Sequence, residues 1–154
     1  MAEFRARWVE HWKGEVDRAG VSRKPGLDET LELLESMGVP KAVATSTEGG
    51  DALFTLRRAG LEDRFDGIVT GDQVAEGKPA PDIFLAAAES LGVPPERCIA
   101  FEDSDAGTVA ARAAGMLTVM VPDMKPPSAE ARESASRLLE SLEQAPGLIR
   151  EFCG

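Results

Sequence analysis

Four short apolar runs, at 41–45, 67–70, 98–101 and 117–121, alternate with stretches of helical periodicity, and a glycine closes each of those stretches. Leu27, Leu31 and Leu34 recur at helical spacing ahead of Gly38, and the segments at 51–59, 81–91 and 105–114 end on Gly60, Gly92 and Gly115. Glycine past the last helical residue accepts the left-handed backbone that stops a helix. Apolar runs this short, without polar alternation, need cover on both faces, and helices between parallel strands supply it. The pattern predicts an α/β fold: a parallel sheet covered by helices on each side, three layers in all.

Two regions lie outside the alternation. A further helix is predicted over 128–142, with Pro146 marking a break before a short tail. At the other end Phe4, Trp8, Trp12 and Val16 repeat every four residues on one helical face. Such a face either packs on the domain or forms part of a lid over a cleft. Arg23-Lys24-Pro25-Gly26 then reads as a hinge, dividing the chain into an appendage at 1–24 and a core at 25–154. A length of 154 residues suits one domain with a small appendage.

Charge narrows the partners. Lys and Arg number 17 against 27 Asp and Glu, a formal net charge of -10. That field repels nucleic acid and anionic membrane, so neither is expected as a partner. No apolar run approaches a membrane span, and the first residues lack the apolar core of a leader. Cys98 opens an apolar run and Cys153 is the penultimate residue, so no disulfide is expected and a reducing cytoplasm is the setting inferred.

Three groups of residues carry potential chemistry. Glu102 and Asp103 end the third apolar run, and ligands of parallel α/β sheets bind at the carboxyl ends of strands. Adjacent carboxylates repel one another, and a divalent cation such as Mg²⁺ relieves them. The alternative is Asp103 as the cap of the following helix, with Glu102 in solvent. Lys78, in Gly77-Lys78-Pro79-Ala80-Pro81-Asp82, projects from a turn stiffened by two prolines, as neutralising a phosphoryl group requires. A solvated loop lysine is the alternative. Thr45 and Ser46 end the first run, where hydroxyl and N–H groups can hold phosphate oxygens or cap a helix. His11, the single histidine, lies on the N-terminal amphipathic segment, away from these groups in sequence.

The order of hydroxyl, lysine and acidic pair, with the motifs around Lys78 and in Glu102-Asp103-Ser104-Asp105-Ala106-Gly107, resembles the haloacid dehalogenase (HAD) superfamily. The branch it resembles is that of the beta-phosphoglucomutase-like and phosphoglycolate phosphatase-like hydrolases. The resemblance runs from about Pro25 to the C-terminal region and includes Ala113-Ala114-Gly115-Met116. It implies that Thr45, helped by Ser46, binds phosphate. Lys78 would balance charge there, while Asp103 and Glu102 would bind Mg²⁺, Asp103 being the surer ligand. The chemistry implied is Mg²⁺-dependent hydrolysis or transfer of a phosphoryl group on a small phosphorylated metabolite, through an aspartyl-phosphate intermediate.

The resemblance also marks a gap. The attacking Asp belongs to an Asp-x-Asp motif on an apolar strand near the family's N-terminus, and no such strand precedes Thr45. The Asp103-Ser104-Asp105 triplet follows Lys78 and belongs to the acidic motif instead. The expectation from the resemblance is therefore a Rossmann-like, three-layer core truncated at its N-terminus, carrying a helical cap remnant and negligible activity. The missing strand would lie mid-sheet, between those carrying Thr45 and Asp103. Losing about five buried apolar side chains forfeits on the order of 10 kcal/mol. The sheet must then close up, recruit a strand or be fragile. A degenerate, non-catalytic module that binds a partner or itself through the Trp8 and Trp12 face is the alternative function.

Overall fold

The computed structural model describes residues 2–123 and 125–153, with side chains from residue 9 onward, so Phe4 and the Trp8 ring lie outside the described residues. Helix α1 (Ala2–Ala19) is followed by α2 (Leu27–Ser36), β1 (Ala42–Thr45) and α3 (Gly49–Arg58). Then come β2 (Gly67–Thr70), α4 (Asp82–Leu91), β3 (Ile99–Glu102), α5 (Asp105–Ala113) and β4 (Leu117–Met120). The chain closes with α6 (Ala129–Ser134), β5 (Arg137–Leu138) and α7 (Ala145–Cys153). Every strand pairing is parallel, as the alternation predicts. None of these helices is long and apolar enough to cross a membrane.

The strands form two half-sheets. In one, β1 pairs with β2; in the other, β4 lies between β3 and β5. Among the described residues no strand lies between β1 and β3. Among the described residues the sheet neither closes up nor recruits a strand there, so two of the three expected outcomes are not met. A groove of about 1080 Å³ separates the halves, floored by Ala42, Ala44, Ala87, Ala88, Ile99, Ala100 and Phe101. What joins the halves is the apolar cluster of α4 and α5, with Ile83, Phe84, Ala88, Ala110 and Ala111 buried against Val69 and Ala100.

The segment at 128–142 departs from the helix predicted for it. Helix α6 ends at Ser134, and the chain turns into β5. Ser136 N–H donates to the Thr118 carbonyl at 2.7 Å, and the Ser136 hydroxyl accepts from Thr118 N–H at 3.3 Å. The unpaired edge of β4 thus draws this stretch out of helix, because buried backbone groups must find partners. Pro146 begins no tail. It is the second residue of α7, in the first turn, where its missing N–H costs no helical bond. Leu148 and Ile149 of that helix are buried.

Helix α1 rests on α3. The Trp12 ring meets Phe54 edge-on with centroids 5.9 Å apart, and Lys13 pairs with Asp51 at 2.7 Å. The Lys13 and Arg58 cations lie over the Phe54 ring, and Arg58 also pairs with Asp17. Trp12 is therefore half-buried on its own domain.

Candidate functional site

Parallel register brings Thr45 level with Thr70, and Glu102 level with Met120, at the carboxyl ends of their strands. Lys78 enters this edge from the turn before α4. Ala80 N–H closes that turn onto the Gly77 carbonyl at 3.0 Å, and Pro81 stands at the helix cap. The Lys78 ammonium donates to the Ala44 carbonyl at 3.3 Å and to Glu102 Oε1, and it lies 5.0 Å from the Phe84 ring centre. One cation therefore touches the backbone beside Thr45 and the side chain beside Asp103. The Lys78 and Glu102 side chains are 11% and 7% exposed, so their attraction is little screened by water.

The other Glu102 oxygen, Oε2, accepts from the Ser104 hydroxyl at 3.0 Å. That hydroxyl in turn accepts from Gly107 N–H at 3.1 Å and caps α5. The cap is Ser104, so Asp103 is not spent on capping, and Glu102 is buried, not solvated. Gly107 makes the arrangement possible: a side-chain carbon there would fall 2.0 Å from Glu102 Oε2. Asp103 is exposed and lines, with Glu102, Lys24 and Asp123, a cleft of about 430 Å³.

Among the described residues no cluster of three His, Cys, Asp or Glu side chains is placed to hold a metal. Mg²⁺ commonly takes one or two carboxylates and completes its shell with water and phosphate oxygens. An exposed Asp103 beside Glu102 fits that demand.

Thr45 is half-buried, and its hydroxyl accepts from Thr47 N–H at 3.2 Å, turning the chain out of β1. Neither Thr45 nor Ser46 caps α3. The residue at the cap is Glu48, whose side chain makes no capping bond. The acceptor comes instead from the loop after β2: Asp72 Oδ1 takes Gly49 N–H and the Thr70 hydroxyl, both at 2.8 Å. The Thr70 hydroxyl and then the Gly49 N–H hold the Asp72 carboxyl below the usual carboxylate range. Sequence reasoning missed Asp72; a Gly71-Asp72 pair directly after an apolar run was the available signal. His11 is exposed on α1, and Cys98 and Cys153 are both free thiols.

The family model for haloacid dehalogenase-like hydrolase matches residues 5–115. The phosphorylated carbohydrates phosphatase of Thermotoga maritima is 47% identical over 116 residues, which make up 75% of this chain and 53% of that protein. The crystal structure of CbbY from Rhodobacter sphaeroides in complex with phosphate superposes with a TM-score of 0.81 at 31% identity, over 93% of this chain and 64% of that one. The beta-phosphoglucomutase of Clostridium difficile gives a TM-score of 0.79 at 27% identity, over 92% and 61%. The chain spans about half the length of the curated relatives it matches.

Proposed function

Because this chain belongs to the haloacid dehalogenase-like hydrolases, we propose that its site serves Mg²⁺-dependent hydrolysis or transfer of a phosphoryl group. The substrate is a small phosphorylated metabolite of the sugar phosphate or phosphoglycolate type. The observation that carries this reading is the reach of Lys78 from the Ala44 carbonyl to Glu102 across the strand ends. Support for a sugar phosphate comes from the relatives' names, a phosphorylated carbohydrates phosphatase and a beta-phosphoglucomutase.

In this reading the Thr45 hydroxyl and the Ser46 backbone hold phosphate oxygens, and Lys78 offsets their charge in a partly desolvated site. Asp103, with Glu102 beside it, would hold Mg²⁺. The ion, when bound, supplies positive charge and orientation to the phosphoryl oxygens. Glu102 also keeps the lysine aimed at the site, and Ser104 keeps Glu102 in place. Residues 1–24 act as a cap remnant seated on α3, and residues 25–154 form the core. The compartment inferred is a reducing cytoplasm. The 154 residues hold no Asp-x-Asp ahead of Thr45, so this stretch alone is expected to turn over negligibly.

Titration of the 154-residue chain with inorganic phosphate in Mg²⁺ tests the reading by calorimetry. Binding lost in Lys78→Met and Asp103→Asn supports it; equal binding by both variants removes it. Rapid p-nitrophenyl phosphate hydrolysis by the chain, abolished in Asp103→Asn, would refute the expected inactivity.

The groove between β1 and β3 favours a second reading, a non-catalytic binding module. Its occupant would be an extended apolar segment, since two open strand edges and an alanine floor accept a strand with large side chains. A synthetic apolar strand peptide should then raise the melting temperature and protect the β1 and β3 amides from exchange. No shift in either measurement excludes this module.

A further inference from the structure

We propose that Asp72 is a positioning residue for the turn that carries the phosphate-binding groups, capping α3 from outside that helix. The role in phosphate binding rests on the function proposed above; the capping role does not.

A helix leaves its first N–H groups without internal partners, and a side-chain oxygen at the cap ordinarily takes one of them. In α3 the cap residue, Glu48, does not do so. Asp72 Oδ1 accepts Gly49 N–H at 2.8 Å in its place. The Thr70 hydroxyl, also 2.8 Å away, anchors the same oxygen to the end of β2. Two further contacts stitch the loops together. Gly71 N–H donates to the Thr47 carbonyl at 3.0 Å. Gly71 itself lies so close to the turn that a side-chain carbon there would sit 2.4 Å from the Ser46 carbonyl oxygen. Thr47 and Gly49 are thus each hydrogen-bonded to a residue of the 70–72 loop, and Ser46 leaves room beside it only for a glycine at 71.

The charge has a second consequence. A helix N-terminus attracts anions, but here a carboxylate already occupies the start of α3. A phosphate is then denied that helix end and directed toward the Thr45 hydroxyl, Ser46 and the Lys78 ammonium. Asp72 acts through the turn and touches no reacting atom.

Amide exchange and phosphate titration on the 154-residue chain with Mg²⁺ test this together, in wild type, Asp72→Ala and Asp72→Asn. Asp72→Ala should speed exchange across residues 46–52 by about tenfold, the value of one lost cap, and weaken inorganic phosphate binding severalfold. Asp72→Asn, which keeps an acceptor oxygen, should restore most of the protection. Gly71→Ala, which displaces the Ser46 carbonyl, should weaken phosphate while Asp72 is intact. Unchanged exchange in Asp72→Ala overturns the capping role, and faster exchange with unchanged phosphate affinity overturns the positioning role. If wild type takes up no phosphate, the functional reading falls, while exchange alone still decides whether Asp72 holds the turn.

Discussion

Lys78 and Glu102 form an ion pair between two half-sheets that no strand ladder joins among the described residues. The lysine also holds the Ala44 carbonyl, so the same ammonium that would meet a phosphoryl group ties β1 to β3 at their carboxyl ends. Site and scaffold share one contact, and substitutions there should affect both.

Glu102→Gln leaves the shielded Lys78 ammonium without its counter-charge. Removing one partner of a buried pair costs about 3–5 kcal/mol, most of it from the stranded charge. Urea unfolding should register a loss in that range for Glu102→Gln. The double variant Lys78→Met with Glu102→Gln should lose less than the sum of the single changes. Additive losses would mean that the pair is not coupled in solution.

Gly107→Ala pushes a methyl group into the space of the Glu102 carboxylate. Overpacking of this kind costs about 1–3 kcal/mol, and the displaced carboxylate should release Lys78 and weaken Mg²⁺ binding. Thermal unfolding and Mg²⁺ calorimetry check the two effects separately. A variant with wild-type stability and metal affinity would show that the close approach is not maintained.

Acid should destabilise the fold through a defined set of carboxylates. The hydrogen bond from Arg64 lowers Glu35, and that from Arg57 lowers Glu62. The Thr70 hydroxyl and Gly49 N–H lower Asp72. Each depressed group binds its proton more weakly in the folded state than in the unfolded one. Its stabilisation is therefore fully present above the ordinary carboxyl values, about 4, and is lost as pH falls through the lower folded values. Melting temperatures should hold down to about pH 5 and decline below it. The decline should be shallower in Glu35→Gln, and an identical slope in that variant would exclude its pair with Arg64 as a contributor.

Phe54→Ala removes the ring on which Trp12, Lys13 and Arg58 converge. A half-buried aromatic contact of this size is worth about 1–2 kcal/mol. The variant should show red-shifted tryptophan emission and faster proteolysis near residue 20, with the core's far-ultraviolet signal kept. Unaltered emission would mean that α1 does not rest on α3 in solution.

Much of the architecture could be read along the chain. The predicted strands at 41–45, 67–70, 98–101 and 117–121 fall within a residue of β1 to β4, and Gly92 ends α4 with a left-handed backbone. These signals are local: an apolar run, a helical repeat and a stop each occupy about ten residues. The strand-end positions of Thr45, Glu102 and Asp103 were legible for the same reason, because each follows directly from where an apolar run stops.

Other features depended on contacts that no local window contains. Residues 137–138 became strand because β4 had an open edge to pair. Asp72 capped α3 because Glu48 left an N–H group for a loop 23 residues away. Lys78 chose Ala44 and Glu102 only once two half-sheets stood apart across a groove. Periodicity and stop residues decide which stretches become helix or strand. Which distant group satisfies a leftover backbone donor, edge or charge is decided by packing alone, since that partner is chosen in space and not along the chain.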